Sequence, residues 1–307
     1  MCHQHELRFV AFWHKLNLIL TKTLLSLQQV ERLLMHGTSR QRSIFSIGFT
    51  TCELIFNQAI RNVRKNHGNA IVGLLLNIAQ TVLLVAVFMV IFIFAGMRSA
   101  AIRGDTLIYL MSGVFLFMSH IKVLSAVASA EGATSTMMQH RPMNAIVAIW
   151  GAALAELYIQ VLSVVVILFL YHVIWTPVDL YMPVSAFGML LAVWFAGVSI
   201  GVMLYALRPW APAASKLLTQ LFARLNMVAS GKFFLANTLP ESYLHYFMWN
   251  PLFHAIDQAR GFAFINYNPM HSSAVYPLLF ALVVLFFGML TESFTRKQAS
   301  LSWSARH

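Results

Sequence analysis

Five apolar stretches, at roughly 71–95, 107–128, 145–173, 183–207 and 274–293, each run for about 20 residues or more, and a sixth at 213–236 does so despite its charges. A hydrocarbon core of about 30 Å needs about 20 residues of helix to cross it. Lipid offers the backbone no hydrogen-bond partner, so each stretch must satisfy its own amides and is predicted to be a helix. The stretch at 145–173 is long enough to tilt, kink or protrude. Only 10% of the 307 residues are charged and 59% are apolar. Soluble domains carry about 25% charged residues, so this chain could not solvate its own surface in water. Leu16–Leu27 is predicted to be neither a span nor a signal peptide: it is short, is interrupted by Lys22, and lacks a small-residue cleavage site.

The formal charge of +11 is distributed as a topology signal. With six crossings and a cytoplasmic N-terminus, 15 Lys and Arg fall inside and three, Arg98, Arg103 and Arg260, fall outside. Lys122, Arg224 and Lys232 lie within the stretches themselves. The opposite orientation would reverse a fivefold bias, so both termini are expected in the cytoplasm. Nucleic-acid binding would instead cluster the cations on one soluble face, and no such partner is expected. Cys2 and Cys52 give neither a disulfide framework nor metal spacing, and His3 and His5 beside Cys2 read as a solvated tail.

Before the first span, Ile55, Phe56, Ala59, Ile60 and Val63 recur at helical spacing, opposite Asn57, Arg61, Arg64 and Lys65. A helix with one apolar and one basic face rests in the headgroup layer of an anionic leaflet. The connection 237–273 is rich in aromatics and carries Leu239-Pro240 and Asn250-Pro251. It is expected to be a re-entrant segment, with a periplasmic helical hairpin as the alternative. The expected organisation is a cytoplasmic extension at 1–53, an interfacial helix at 54–70, a six-span all-α domain at 71–293, and a basic tail at 294–307.

Two catalytic spellings dissolve on inspection. Gly197-Val198-Ser199-Ile200-Gly201 fits a nucleophile elbow, but that elbow joins a strand to a helix. Here it lies inside an apolar helix, where the same residues form a small-xxx-small packing face. Ser230-Gly231-Lys232 resembles the end of a phosphate loop, yet Asn226 and Phe233 occupy positions that need glycine and a hydroxyl. No nucleotide site is expected in this chain.

Polar residues within the spans carry more information. Asn77, Gln80 and Thr81 share one helix face. His120 and Lys122 lie in the second span, Glu156 and Gln160 in the third, and Arg224 in the fifth. A charge at mid-span costs about 2.5–3.5 kcal/mol, so these groups should face protein or water. For Lys122, Arg224 and Lys232, snorkelling near helix ends is the other reading, and for Glu156 a cytoplasm-proximal cap or ion pair. The polar loop 129–144 can form a transverse helix on which another protein pushes, or simply connect two spans.

Residues 54–293 resemble the type-2 ABC transporter permeases, and within them the capsular polysaccharide exporters. The likeness is carried by the basic interfacial helix with Gly68 and Ala70-Ile71-Val72-Gly73, by Gly104-Asp105, and by Met137-Met138 through Pro142 to Glu156. Its most specific part is Ser230-Gly231-Lys232-Phe233-Phe234, Leu239-Pro240, then Trp249-Asn250-Pro251-Leu252 with His254, Asp257 and Arg260. The first 50 residues have no counterpart in the family, and Lys232 stands where the family tends to be apolar.

The resemblance implies a homodimer of six-span subunits in a bacterial inner membrane. It implies a separate ABC ATP-binding subunit that holds ATP and Mg, with no cofactor or metal in this chain. The implied cargo is a lipid-linked polysaccharide moved outward, and periplasmic export components are further partners. Glu131, Arg141, Pro142, Arg61 and Arg64 would couple to the ATPase. Asn77, Gln80, Thr81, Phe115, Phe117, Lys122, Tyr158, Arg224, Tyr243, Tyr246 and Trp249 are candidates for the path, each aromatic equally readable as packing or interfacial belt. Pro240, Asn250, Pro251, Asp257 and Arg260 would build the re-entrant motif, with the last two sharing a helix face as a shielded pair. Alternatives are a type-2 exporter of a drug or lipid, or an intramembrane acyl- or glycosyltransferase using His120, His172 or Glu156.

Overall fold

A computed structural model describes residues 44–65, 70–94, 105–131 and 144–304, and all regular structure among them is helical. In chain order the helices are α1 (Ile44–Lys65), α2 (Ala70–Phe94), α3 (Thr106–Ala128), α4 (Ala145–Ile174) and α5 (Pro183–Leu207). They continue as α6 (Pro212–Ala229), a 3-10 turn (Ala236–Thr238), α7 (Glu241–Phe247), α8 (Pro251–Ala263) and α9 (Tyr276–Ser304). Arg141, Pro142, Gly68, Gly104, Met137, Met138, Cys2, His3 and His5 lie outside the described residues.

Their boundaries follow from the residues. The Asp105 carboxylate accepts the Leu107 amide and starts α3. Pro183 and Pro212 stand in the first turns of α5 and α6, where a missing N–H costs nothing. Asn250 caps α8: the side chain accepts from the Leu252 amide at 3.0 Å, with Pro251 at the first helical position.

Among the described residues, five helices are long and apolar enough to cross a membrane: α2, α3, α4, α5 and the first part of α9. The central pair is α3 and α5, with 78% and 61% of their most apolar windows buried against 22% for each of the other three. The glycines that read as a packing face explain the intimacy of that pair. A Cβ at Gly197 would stand 2.5 Å from Val123 Cγ1 and 2.7 Å from the His120 carbonyl; one at Gly201 would stand 2.8 Å from Val127 Cβ. Gly288 of α9 lies less tightly against α5, where a Cβ would stand 3.1 Å from Val202 Cγ1 and 3.2 Å from the Met203 amide.

The stretch at 213–236 departs from the expected continuous span. Its helix α6 stops at Ala229 after 18 residues, about 27 Å, and gives way to a turn at Gly231 with φ 72°. That left-handed backbone suits glycine, and a Cβ there would also lie 2.5 Å from the Phe253 ring. Residues 53–307 form one compact unit. The amphipathic helix reaches back to Ile44, ten residues before the expected start.

Candidate functional site

Three arrangements gather the polar residues. The first is a seam between α2, α3 and α4. Asn77 is buried, donates to the Ser163 hydroxyl at 2.8 Å, and accepts from Lys122 Nζ and, at 3.3 Å, from Gln160 Nε2. Lys122 also donates to Gln80 Oε1 at 2.7 Å and lies within the field of Glu156. The Thr81 hydroxyl turns back to its own helix at the Asn77 carbonyl. Asn77 and Gln80 therefore meet at Lys122, Asn77 buried and Gln80 exposed, and their amide oxygens compensate the ammonium. Gln160 and Ser163 complete the seam; Ser163 gives no sequence signal because serine is common in packed membrane helices.

Toward the α1 side, this seam adjoins a cavity of about 130 Å³ lined by Gln58, Asn62, Ser129, Glu131 and Glu156. Gly151 of α4 admits α1, since a Cβ there would meet Gln58 Cγ at 2.4 Å. The buried side of α1 is Gln58 and Ala59; Phe56 and Ile60 stay exposed on one flank and Arg61 and Arg64 on the other. At the near end of the loop 132–143, Tyr205 donates to the Glu131 carbonyl at 3.0 Å and Arg208 to the Ala130 carbonyl at 2.7 Å. Sequence reasoning treated Arg208 only as a topology charge, and its grip on the loop had no local signal.

The second arrangement is the pinned turn at 230–236. The Arg260 guanidinium, fully buried, donates to the carbonyls of Gly231 at 2.9 Å, Lys232 at 2.5 Å and Phe234 at 2.8 Å. Its carbon lies 4.0 Å from the Tyr109 ring centroid, and Gly113 of α3 leaves room for it, because a Cβ would stand 2.9 Å from the guanidinium. The turn has no helical bonds of its own, so its inward carbonyls need a donor. Asp257, one turn earlier on α8, accepts from the Ala236 amide at 3.3 Å, Tyr267 at 2.5 Å and Ser272 at 2.7 Å. Burial, then this bond to the carboxylate, pushes the Tyr267 hydroxyl far above its ordinary value. The Asn250 amide ties the start of α8 to the Asn226 side chain at 2.8 Å and the Ala229 carbonyl at 2.9 Å.

Asp257 and Arg260 do share a helix face, yet they do not pair directly. Each bonds other groups: the arginine the carbonyls of Gly231, Lys232 and Phe234, the carboxylate the Ala236 amide at the end of the turn and the hydroxyls of Tyr267 and Ser272. The expected shielded ion pair is thus corrected to two separate anchors.

The third arrangement concerns Lys232, which is 1% exposed. Its Nζ sits 3.4 Å from the Phe117 ring centroid, 5.0 Å from Phe233 and 5.1 Å from Phe88, and has no hydrogen-bond partner.

The remaining path candidates are dispersed. Phe115 and Phe117 are core residues, whereas Tyr158, Tyr243, Tyr246, Trp249 and Arg224 are exposed, as is Pro240. For the enzymatic alternative, His120 bonds the Val193 carbonyl, His172 accepts the Val178 amide, and Glu156 lines the α1 cavity.

No protein-family model matches the chain. It is similar to a polysialic acid transport protein KpsM of Escherichia coli, at 26% identity over 265 residues covering 85% of this chain and 99% of that protein. A second KpsM protein of Escherichia coli is likewise 26% identical over 199 residues, 64% of this chain and 75% of its own length. The chain is a multi-pass helical membrane protein, and its resemblance to the capsular polysaccharide export permeases of the type-2 ABC kind holds across nearly the whole length of a relative.

Proposed function

We propose that this chain is the permease subunit of an ATP-driven exporter that moves a lipid-linked capsular polysaccharide out across a bacterial inner membrane. It works as a homodimer, with ATP and Mg on a separate ATP-binding subunit, and periplasmic components receive the cargo. The observation that carries this reading is similarity over 99% of a polysialic acid transport protein.

The geometry supports the six-crossing form. The pinned turn lies against Phe117, halfway along α3, so α6 reaches about mid-depth and residues 230–237 complete the crossing. From there α7 turns back, since Asn250 at its far end touches Asn226 and Ala229 of α6. Helix α8 then runs outward to Ala263, whose carbonyl accepts the Tyr181 amide before α5. We read this path as a re-entrant hairpin in which α8 is covered by protein while α7 keeps Tyr243 and Tyr246 exposed. Coupling enters through Glu131, Arg141 and Pro142 and through Arg61 and Arg64 of α1, and the seam at Lys122 is the bonded network that a push on α1 reaches through the cavity beneath it.

Deleting the gene is the direct test. Surface glycan should disappear while lipid-linked glycan accumulates in the cytoplasm. Unchanged surface glycan sinks the export reading, and transfer of a sugar or acyl group by the purified chain alone would replace it with the enzymatic one.

A further inference from the structure

We infer that Lys232 is an anion-binding group for the cargo, sheltered in a cage of three phenylalanines until the helices around it part; this rests on the export reading. Three observations point to a partner outside the chain. First, Nζ is buried and makes no hydrogen bond. Second, carbonyls of the turn that carries it and the carboxylate on the helix beside it bond to other residues. Arg260 occupies the carbonyls of Gly231, Lys232 and Phe234, and the Asp257 carboxylate is filled by Ala236, Tyr267 and Ser272. Third, the site stands halfway along α3, at the depth where an unpaired cation is least tolerated and an intramembrane charge marks function.

The cage explains how such a group waits. Aromatic faces attract an ammonium without supplying the oxygen lone pairs it lacks. The walls come from different elements: Phe88 from α2, Phe117 from α3, Phe233 from the turn itself. Any motion that separates α2 or α3 from the turn opens the cage, while Arg260 keeps the Lys232 backbone in place and leaves its four-carbon side chain free to follow. What it then meets must carry anionic oxygens. In this cargo class those are the phosphate of a lipid carrier or the carboxylate of an acidic sugar. Flat phenylalanine rings beside the ammonium suit a sugar face as well.

Thermal unfolding of the full-length chain in phosphatidylcholine nanodiscs tests this without a partner subunit. Dodecyl phosphate, dodecyl glucuronide and dodecyl glucoside present phosphate, carboxylate and neutral heads on one tail. A ligand that binds only the folded chain raises its unfolding temperature. The wild type should shift upward by a few degrees with one or both anionic probes and not with the glucoside, and the responding probe identifies the source of the anion. Lys232→Met and Lys232→Gln should lose the shift, and Lys216→Met, altered at an exposed lysine, should keep it. An equal shift in either Lys232 variant, or no anion-dependent shift in the wild type, overturns the assignment. A normal shift in a chain that exports nothing in cells would sink the export reading and leave the anion site standing.

Discussion

Arg260 owes its burial to carbonyls. Removing the guanidinium leaves the oxygens of Gly231, Lys232 and Phe234 without their donor, and each buried unsatisfied group costs about 1–3 kcal/mol. Arg260→Ala should therefore cut the yield of folded protein severely. Asp257→Ala should do the same independently, by releasing Ala236, Tyr267 and Ser272. Because the two side chains anchor different segments, the double variant should be at least as unstable as the worse single one, measured as detergent-resistant monodisperse protein. Rescue of Arg260→Ala by Asp257→Ala would show instead that their mutual charge dominates. The sequence singled out these two residues through spacing and resemblance. It could not reveal whom they bond. Three residues of separation make an ion pair look natural, whereas the actual partners lie 10 to 29 residues away and are fixed only by the tertiary fold.

At the scale of elements, length and hydropathy located α2 to α5 and α9 closely, because the bilayer requirement acts on each helix alone. The same criterion passed over the break in α6. Arg224 and Lys232 flank that break, and an apolar average smooths over a turn whose stability comes from another helix. Helix–helix contact was legible where it depended on size. Gly197 and Gly201 let α5 approach α3 so closely that a single Cβ would collide with Val123 or Val127. Without a hydrophobic driving force between helices in lipid, such close packing supplies much of the association. Gly197→Leu should force α3 and α5 apart and destabilise the chain strongly, whereas Gly188→Leu on the same helix should be mild, since nothing lies within 4 Å of a Cβ there. The check is the unfolding temperature of each variant in nanodiscs. Similar losses for both would mean that helix propensity, not the α3–α5 contact, governs the outcome.

Across the whole molecule, the crossings and the charges must agree on one orientation. In the proposed form, α2 to α5 cross four times, α6 with the turn beyond it makes a fifth passage, and α9 a sixth, which would return the chain to the side on which α1 lies. The basic residues favour the cytoplasm for that side by 15 to three. Helix α1 adds a local argument: its exposed flanks are Phe56 with Ile60 and Arg61 with Arg64, the pairing of apolar and basic surface that an anionic cytoplasmic leaflet attracts. The loop between α8 and α9 must then face outward. Cys52 is exposed on α1, and Met270 is exposed in that loop, so the two give opposite readings in one experiment. A membrane-impermeant thiol reagent applied to intact spheroplasts should leave Cys2 and Cys52 unlabelled until lysis. In a Met270→Cys variant it should label residue 270 at once. Labelling of Cys52 before lysis would invert the orientation, and protection of both 52 and 270 would mean that the passage through α6 and the turn does not cross, leaving five spans and termini on opposite sides.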